Sequence, residues 1–339
     1  MTTDNVMMGA LGRSTGRIGN VQTEEGKHSA AVAIREAGLD WTVSKQLQRY
    51  YHNGELHSFP DQYVLTRDDN SHPLSNVGKD YEAIQNEHAF DFFNNVTFIG
   101  GDAEYVRSGA TQNGKKLFIE AKLSGDDIVI SGRDKIEKRI YLWNSHGGNS
   151  FKVFFSPLRL YCQNQLTGSF QKNIYKQYHS KGLCITGVKI VHKGDVLGKM
   201  KDACDIINDA IIHFEAFRAV AQSMDDRAVN AQEVQAYSQN LTFTAAERKG
   251  EKPSTRIQNQ RDAIETAFVK SPGNRGRTLW DLYNGATYWS DHQRSLNKGT
   301  ELDENRFFGS GRTFKQRALD LAVNTLQGQP LELLKAQGL

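Results

Sequence analysis

From Glu104 onward in this 339-residue chain hydrophobic periodicity changes once, and that change narrows the possible folds more than any other feature. Between Glu104 and Cys162 the apolar residues fall in short runs broken by Asn113-Gly114, Gly147-Gly148 and Pro157, which is the spacing of strands and tight turns. The expected strands are Glu104 to Gly109, Lys116 to Leu123, Ile128 to Ser131, Arg139 to Asn144, Phe151 to Phe155 and Leu158 to Cys162. Pro157 cannot donate to a ladder, so an edge or a bulge is expected there. From Lys199 onward the period becomes helical: Met200, Ala203, Ile207, Ala210, Ile211, Phe214, Phe217, Val220 and Ala221 trace one face of a long helix. Further helices are expected at Ala228 to Phe243, Arg261 to Phe268, Thr278 to His292 and Thr313 to Gln327, with a polar linker from Arg248 to Asn259.

The N-terminal third is mixed. Lys27 to Ala37 has the pattern of a short helix stopped by Gly38, and His52-Asn53-Gly54-Glu55 has the Asn-Gly of a tight hairpin turn. Short strands are expected at Tyr63 to Leu65 and Leu74 to Gly78, and an amphipathic helix at Tyr81 to Val96. The fold class that follows is α+β: a central antiparallel β-sheet meander flanked by helices, with a helical C-terminal part. The expected division is an arm over 1–26, a core domain over 27–199 and a mainly helical region over 200–339.

No run approaches the roughly 18 apolar residues of a membrane helix, and Met1 to Asn20 lacks the apolar core of a signal peptide, so a cytoplasmic protein is expected. Cys162, Cys184 and Cys204 are widely spaced, with no CxxC pair, and read as reduced thiols. The net charge of +3 conceals an asymmetry. Arg133 to Lys199 holds twelve Lys or Arg against three acids, a net +9, so the remainder carries −6. Arg248 to Arg277 holds eight against three, a net +5. Such segregation suits a polyanion surface, because each neutralised phosphate releases counterions. An ordinary solvated basic face has the same signature.

Several ordered motifs resemble the phage- and plasmid-like proteins that carry a prokaryotic domain of unknown function. They are Ala37-Gly38-Leu39-Asp40-Trp41, Val77-Gly78 with Tyr81, Gln85-Asn86, Ala89-Phe90, Gly109, Gly114 through Leu123, and Tyr141-Leu142 with Asn144-Ser145-His146. Arg159 with Cys162-Gln163-Asn164 follows, then Leu279-Trp280, Asn284-Gly285-Ala286, Asp291-His292 and Lys315-Gln316-Arg317-Ala318. The chain departs from the pattern at Gly147, where an acidic residue is expected, and at Gln165, where a small one is expected. The resemblance implies a mobile-element origin, a bacteriophage first of all, and brings no established activity. The order helix, hairpin-rich sheet, helix is also that of single-strand annealing recombinases of the RecT and Red-beta kind, an analogy of fold only.

The candidate contacts to nucleic acid are Arg139, His146, Lys152, Arg159, Lys172, Tyr175, Lys176, Tyr178, Lys181, Arg275 and Arg277. Gln171 to Lys181 interleaves lysines with Tyr175, Tyr178 and His179, so cations can follow a backbone while rings stack on bases. Arg139, Lys152 and Arg159 extend this patch if their strand faces point outward. Arg275 and Arg277 precede Thr278, a helix-capping residue type, where an anion would be favoured. His146 beside Gly147-Gly148 is the sharpest candidate for phosphate contact or base chemistry, against the plainer reading of a turn residue. Cys162 with His146 or His179 is a weaker nucleophile pairing than a buried small hydrophobe.

Asp202, Asp205, Asp209 and His213 share a helical face, but a solvated stripe explains them better than a metal site. No Walker motif is present. The expectation is a phage-encoded protein that binds single-stranded DNA or other nucleic acid, with no cofactor, no metal and no catalytic residue, assembling as a homo-oligomeric ring or filament. A protein that binds and modulates a host protein or defence system is the alternative. A metal-dependent nuclease using His146 is a third.

Overall fold

The computed structural model describes residues 30–99, 103–147, 151–160, 164–165, 187–190, 192–193, 195, 197–198, 210–295, 305–306 and 309–334. It is α+β, and it divides into two compact units that are interleaved along the chain. The first comprises 1–125, 138–155 and 171–213, and the second 126–137, 156–170 and 214–339. The sequence suggests a single cut between 199 and 200. Residues 126–137 and 156–170 belong instead with the C-terminal helices, because their polar side chains find partners more than a hundred residues downstream.

In the first unit α1 (Ala30–Glu36) ends where the Gly38 amide turns back onto the Arg35 carbonyl. Strands β1 (Val43–His52), β2 (Glu55–Arg67) and β3 (Pro73–Gly78) form an antiparallel sheet in that order. The β1–β2 turn is Asn53-Gly54, with φ of 51° and 84°, the left-handed pair that a two-residue hairpin needs. The expected short strand at Tyr63 is the end of a 13-residue strand; Pro60 and Asp61, the latter at φ 57°, shift the register without ending it. Helix α2 (Asn86–Ile99) starts five residues later than the periodicity suggests. Gln85 and Asn86 hold it back by bonding the backbone of Val43, Leu39 and Trp41. Its buried face carries Ala89, Phe90, Phe92 and Phe93.

The larger sheet contains β4 (Ala103–Thr111), β5 (Lys116–Leu123), β6 (Ile128–Ile130), β7 (Asp134–Ser145), β8 (Phe151–Arg159), β9 (Asn164–Gln165) and β10 (Gly187–Ile190). Its main path is β10-β8-β7-β5-β4. The pairs β10–β8, β7–β5 and β5–β4 are antiparallel, as are the flanking pairs of β6 with β7 and β9 with β8. Strands β7 and β8 each contribute residues to both units. Phe92 of α2 meets Phe151 of β8 edge to face at 5.2 Å, and Phe93 lies 5.8 Å from Tyr105 of β4. Pro157 does not end β8: on one edge it falls between the part paired with β10 and the part paired with β9.

Among the described residues of the second unit the α-helices are α3 (Ala210–Asp226), counted from Phe214, α4 (Ala231–Thr242), α5 (Ala245–Arg248), α6 (Thr255–Lys270), α7 (Leu279–Tyr288), which runs on into a π-helical turn at Trp289–Gln293, and α8 (Ser310–Leu326). Three begin with a capping box: Asn230 with Glu233, Thr244 with Glu247 and Thr278 with Asp281. The stretch expected to be a linker therefore holds the end of α5 and the first turn of α6. Phe214, Phe217, Tyr237, Ile264, Trp280, Tyr283 and Leu319 supply much of the core. Gly285 lets α7 approach the α6 backbone: a Cβ there would lie 2.7 Å from the Phe268 nitrogen.

Candidate nucleic-acid interface

The first basic stretch does not present all of its charge. Arg139 is buried on β7, and its guanidinium meets Glu120 Oε1 at 3.3 Å. Glu120, in the adjacent strand β5, also pairs with Arg107 and accepts the Tyr141 hydroxyl at 2.7 Å. Burial, followed by the nearby Glu120 carboxylate, raises that phenol well above its usual pKa. Arg159 is enclosed in the second unit. It donates from Nε to Asp134 Oδ2 at 2.7 Å and from Nη1 to Asn274 Oδ1 at 2.8 Å, while Trp280 Nε1 donates to the same Asp134 oxygen at 2.8 Å. Arg133 pairs with Asp225 at 3.0 Å.

The condition attached to Arg139 and Arg159, that their strand faces point outward, is therefore not met. A guanidinium taken out of water needs a carboxylate, and each of these has one inside the fold. Lys152 is half-buried, opposite Lys189 in the β8–β10 ladder. Lys172, Tyr175, Lys176, Tyr178 and Lys181 lie outside the described residues, as do Cys162, His179, Asp202, Asp205 and Asp209.

His146 is also corrected. It is fully buried at the end of β7, 5.6 Å from the Trp41 ring. Asn86 Nδ2 donates to the carbonyls of Leu39 and Trp41, so Asn86 Oδ1 is an acceptor, and the 2.9 Å contact to His146 Nε2 requires the proton on Nε2. Burial, then His192 and Arg67, push its pKa down to about 3. A neutral imidazole closed off from solvent braces the Asn86 side chain and cannot reach a phosphate. The same unit has an open pocket of about 430 Å³ lined by Asp61, Lys79, Asp80, Tyr81, His192 and Lys193, with Gly78. Tyr81 and His192 stack there at 5.0 Å, and His192 Nδ1 donates to the Glu82 carbonyl. Among the described residues no three His, Cys, Asp or Glu side chains converge as metal ligands.

The second basic stretch behaves oppositely. Arg248, Lys249, Lys252, Arg256, Lys270, Arg275 and Arg277 are all exposed in the second unit, and among the described residues none of them forms an ion pair. Arg261 is the exception, buried between Thr242 and Glu247. Arg256 stands in the first turn of α6, which contains no acid. Arg294, 5.7 Å over the Trp289 ring, has its pKa lowered by burial and then by Arg256, so two guanidiniums share one neighbourhood.

The phosphate clamp expected at the start of α7 is already filled. Asp281 Oδ2 accepts from the backbone amides of Arg277 at 3.1 Å and Thr278 at 3.3 Å, so the chain's own carboxylate takes the anion's place while the Arg275 and Arg277 side chains stay exposed. Arg294 escapes sequence reasoning because it lies outside both charge clusters; its nearness to Arg256 is a tertiary fact.

Among protein families, the chain matches the model of a domain of unknown function over residues 73–319. No curated protein and no solved structure matches it.

Proposed function

The chain belongs to the DUF932 family, a domain of unknown function, and from its charge arrangement we propose that it is a nucleic-acid-binding protein which works by charge and contact without catalytic chemistry. The observation that carries the reading is the set of exposed cations between Arg248 and Arg277, unpaired among the described residues and joined by Arg294. Leaving these unneutralised while Arg139, Arg159 and Arg261 are buried against carboxylates is what an external polyanion would select. The resemblance to phage and plasmid proteins supports placing this activity in a bacterial cytoplasm, in strand annealing during recombination, with a homo-oligomer tracking the strand. No described helix is long and apolar enough to cross a membrane.

Four single-strand phosphate contacts give a slope of about −3 in log affinity against log salt, or a loss of roughly 50-fold between 50 and 200 mM. Anisotropy of a labelled 40-mer titrated at several salt concentrations measures this. Arg256→Glu with Arg294→Glu should weaken binding and flatten the slope. Absence of binding at 50 mM salt, with protein in excess, refutes the reading.

A further inference from the structure

Asn-Gly occurs three times in this chain, at Asn53-Gly54, Asn113-Gly114 and Asn284-Gly285, and the fold treats the three steps differently. An asparagine before glycine is prone to cyclise, because the glycine has no Cβ to obstruct the approach of its backbone nitrogen to the asparagine Cγ. In a folded chain that approach needs a nitrogen free of hydrogen bonds and a peptide with room to rotate. Asn284-Gly285 lies inside α7, with Asn284 fully buried, its Nδ2 donating to the Trp280 carbonyl at 2.8 Å and Gly285 against the α6 backbone. Asn113 faces water, but its carbonyl accepts from Arg67 Nη1 at 3.2 Å. A Cβ on the buried Gly114 would lie 3.0 Å from both the Arg67 and the Trp41 side chains, so this peptide has no space to turn. Asn53-Gly54 is the reverse case. Both residues are exposed at the tip of the β1–β2 hairpin, and a Cβ on Gly54 would meet nothing within 4 Å. Among the described residues neither the Asn53 side chain nor the Gly54 amide has a hydrogen-bond partner.

We infer that Asn53 is a self-modification site, converted by attack of its own backbone to aspartate and isoaspartate with water as the only co-reactant. The Gly54 nitrogen bonds to Asn53 Cγ, the Cγ–Nδ2 bond breaks, and ammonia leaves with the proton that the Gly54 nitrogen gives up. Water then opens the cyclic imide. Addition at Cγ breaks the bond just formed and yields aspartate, whereas addition at the main-chain carbonyl yields isoaspartate, in which the chain runs through Cγ; in both the nitrogen regains a proton. The ribbon beneath the turn offers little resistance to this motion. Strand β3 pairs with β2 only from Gln62 to Thr66, so it leaves the outer pairs, from Arg49–Ser58 to His52–Glu55, as two strands alone. Tyr51 within them is 75 % exposed. An isolated two-stranded ribbon is marginally stable and opens at low cost. The products differ in consequence. Aspartate tolerates the left-handed conformation of Asn53, whereas isoaspartate adds a methylene to the main chain and removes the two-residue turn that fixes the outer register. The inner pairs, Val43–Arg67 to Leu47–Tyr63, lie beyond the register shift and are braced by β3, so they should survive.

The test ages the full-length protein in mildly alkaline buffer, native and in urea, and follows the mass of the three Asn-Gly peptides against a sample digested at time zero. In urea all three should gain the mass of deamidation at comparable rates. In the native protein the Asn53 peptide should gain it at a rate near that in urea, and the other two should not over the same period. Asn284 reacts only in opened molecules, so it should lag by roughly 1000-fold or more, the ratio of folded to unfolded chains in an ordinary domain. Asn53→Gly keeps a residue suited to the left-handed turn and cannot cyclise, so it serves as the aged control. Hydrogen exchange of the aged wild type should show lost protection over residues 49–58 and retained protection over 62–66, with no change in aged Asn53→Gly. If the native Asn53 peptide keeps its mass while the urea sample reacts, or if all three native peptides gain mass at equal rates, the inference is overturned. Deamidated protein with unaltered exchange over 49–58 would refute the loss of register.

Discussion

Replacing His146 should change how the stability of the protein depends on pH, by an amount that follows from its surroundings. The native imidazole is buried against Trp41 and Asn86 and holds no proton on Nδ1 until about pH 3, whereas an unfolded histidine accepts one near 6.5. Below 6.5 the unfolded chain therefore binds a proton that the native chain refuses, and stability falls with pH until about 3. Above 6.5 neither state binds it and the contribution is flat. At pH 5.0 the gap of about 1.5 units corresponds to roughly 2 kcal/mol, nearly all of it lost between pH 7 and 5. His192 is also held below its usual value by burial and acts in the same direction, but it is present in both proteins.

The measurement is urea unfolding of wild type and His146→Gln at pH 7.0 and 5.0. Wild type should lose about 2 kcal/mol more than the variant over that interval, although the variant is the less stable at pH 7. Equal losses would show that His146 titrates in the native state and would overturn its assignment as a closed, neutral side chain bound to Asn86.

Two further substitutions probe the second unit. Asp134→Asn should destabilise by roughly 3–5 kcal/mol, because it leaves the Arg159 guanidinium buried without its carboxylate, and adding Arg159→Met should restore much of that loss; chemical denaturation of the single and double variants checks both. Gly285→Ala should cost roughly 1–3 kcal/mol, since its Cβ would meet the backbone nitrogen and Cα of Phe268 at 2.7 and 2.9 Å and force α6 and α7 apart, read as a lowered thermal midpoint.

Much of the fold is legible because its signals are local. Asn53-Gly54 sets a turn through its own φ angles, Thr278 and Asp281 cap a helix three residues apart, and the apolar run along Lys116–Leu123 needs no partner to be recognised. The exceptions arise where a distant group intervenes. Tyr81 looks like the first turn of a helix, but its hydroxyl reaches the Ser145 carbonyl and its backbone bridges Lys193, while Asn86 is committed to Leu39 and Trp41. The hairpin is legible from its turn, yet the exposure of Tyr51 is not, since a strand pattern does not tell which strands lack a covering layer.

Fold class, family and the total charge of each stretch can be read along the chain. Which charges face water depends on how distant residues meet in the folded protein. Asp134 lies 25 residues from Arg159 and 146 from Trp280, and Glu120 lies 19 from Arg139. Coulomb attraction acts through space, and burial strengthens it by removing water. Arginines of the +9 stretch can therefore be neutralised inside the fold while those of the +5 stretch, Arg261 apart, remain available at the surface.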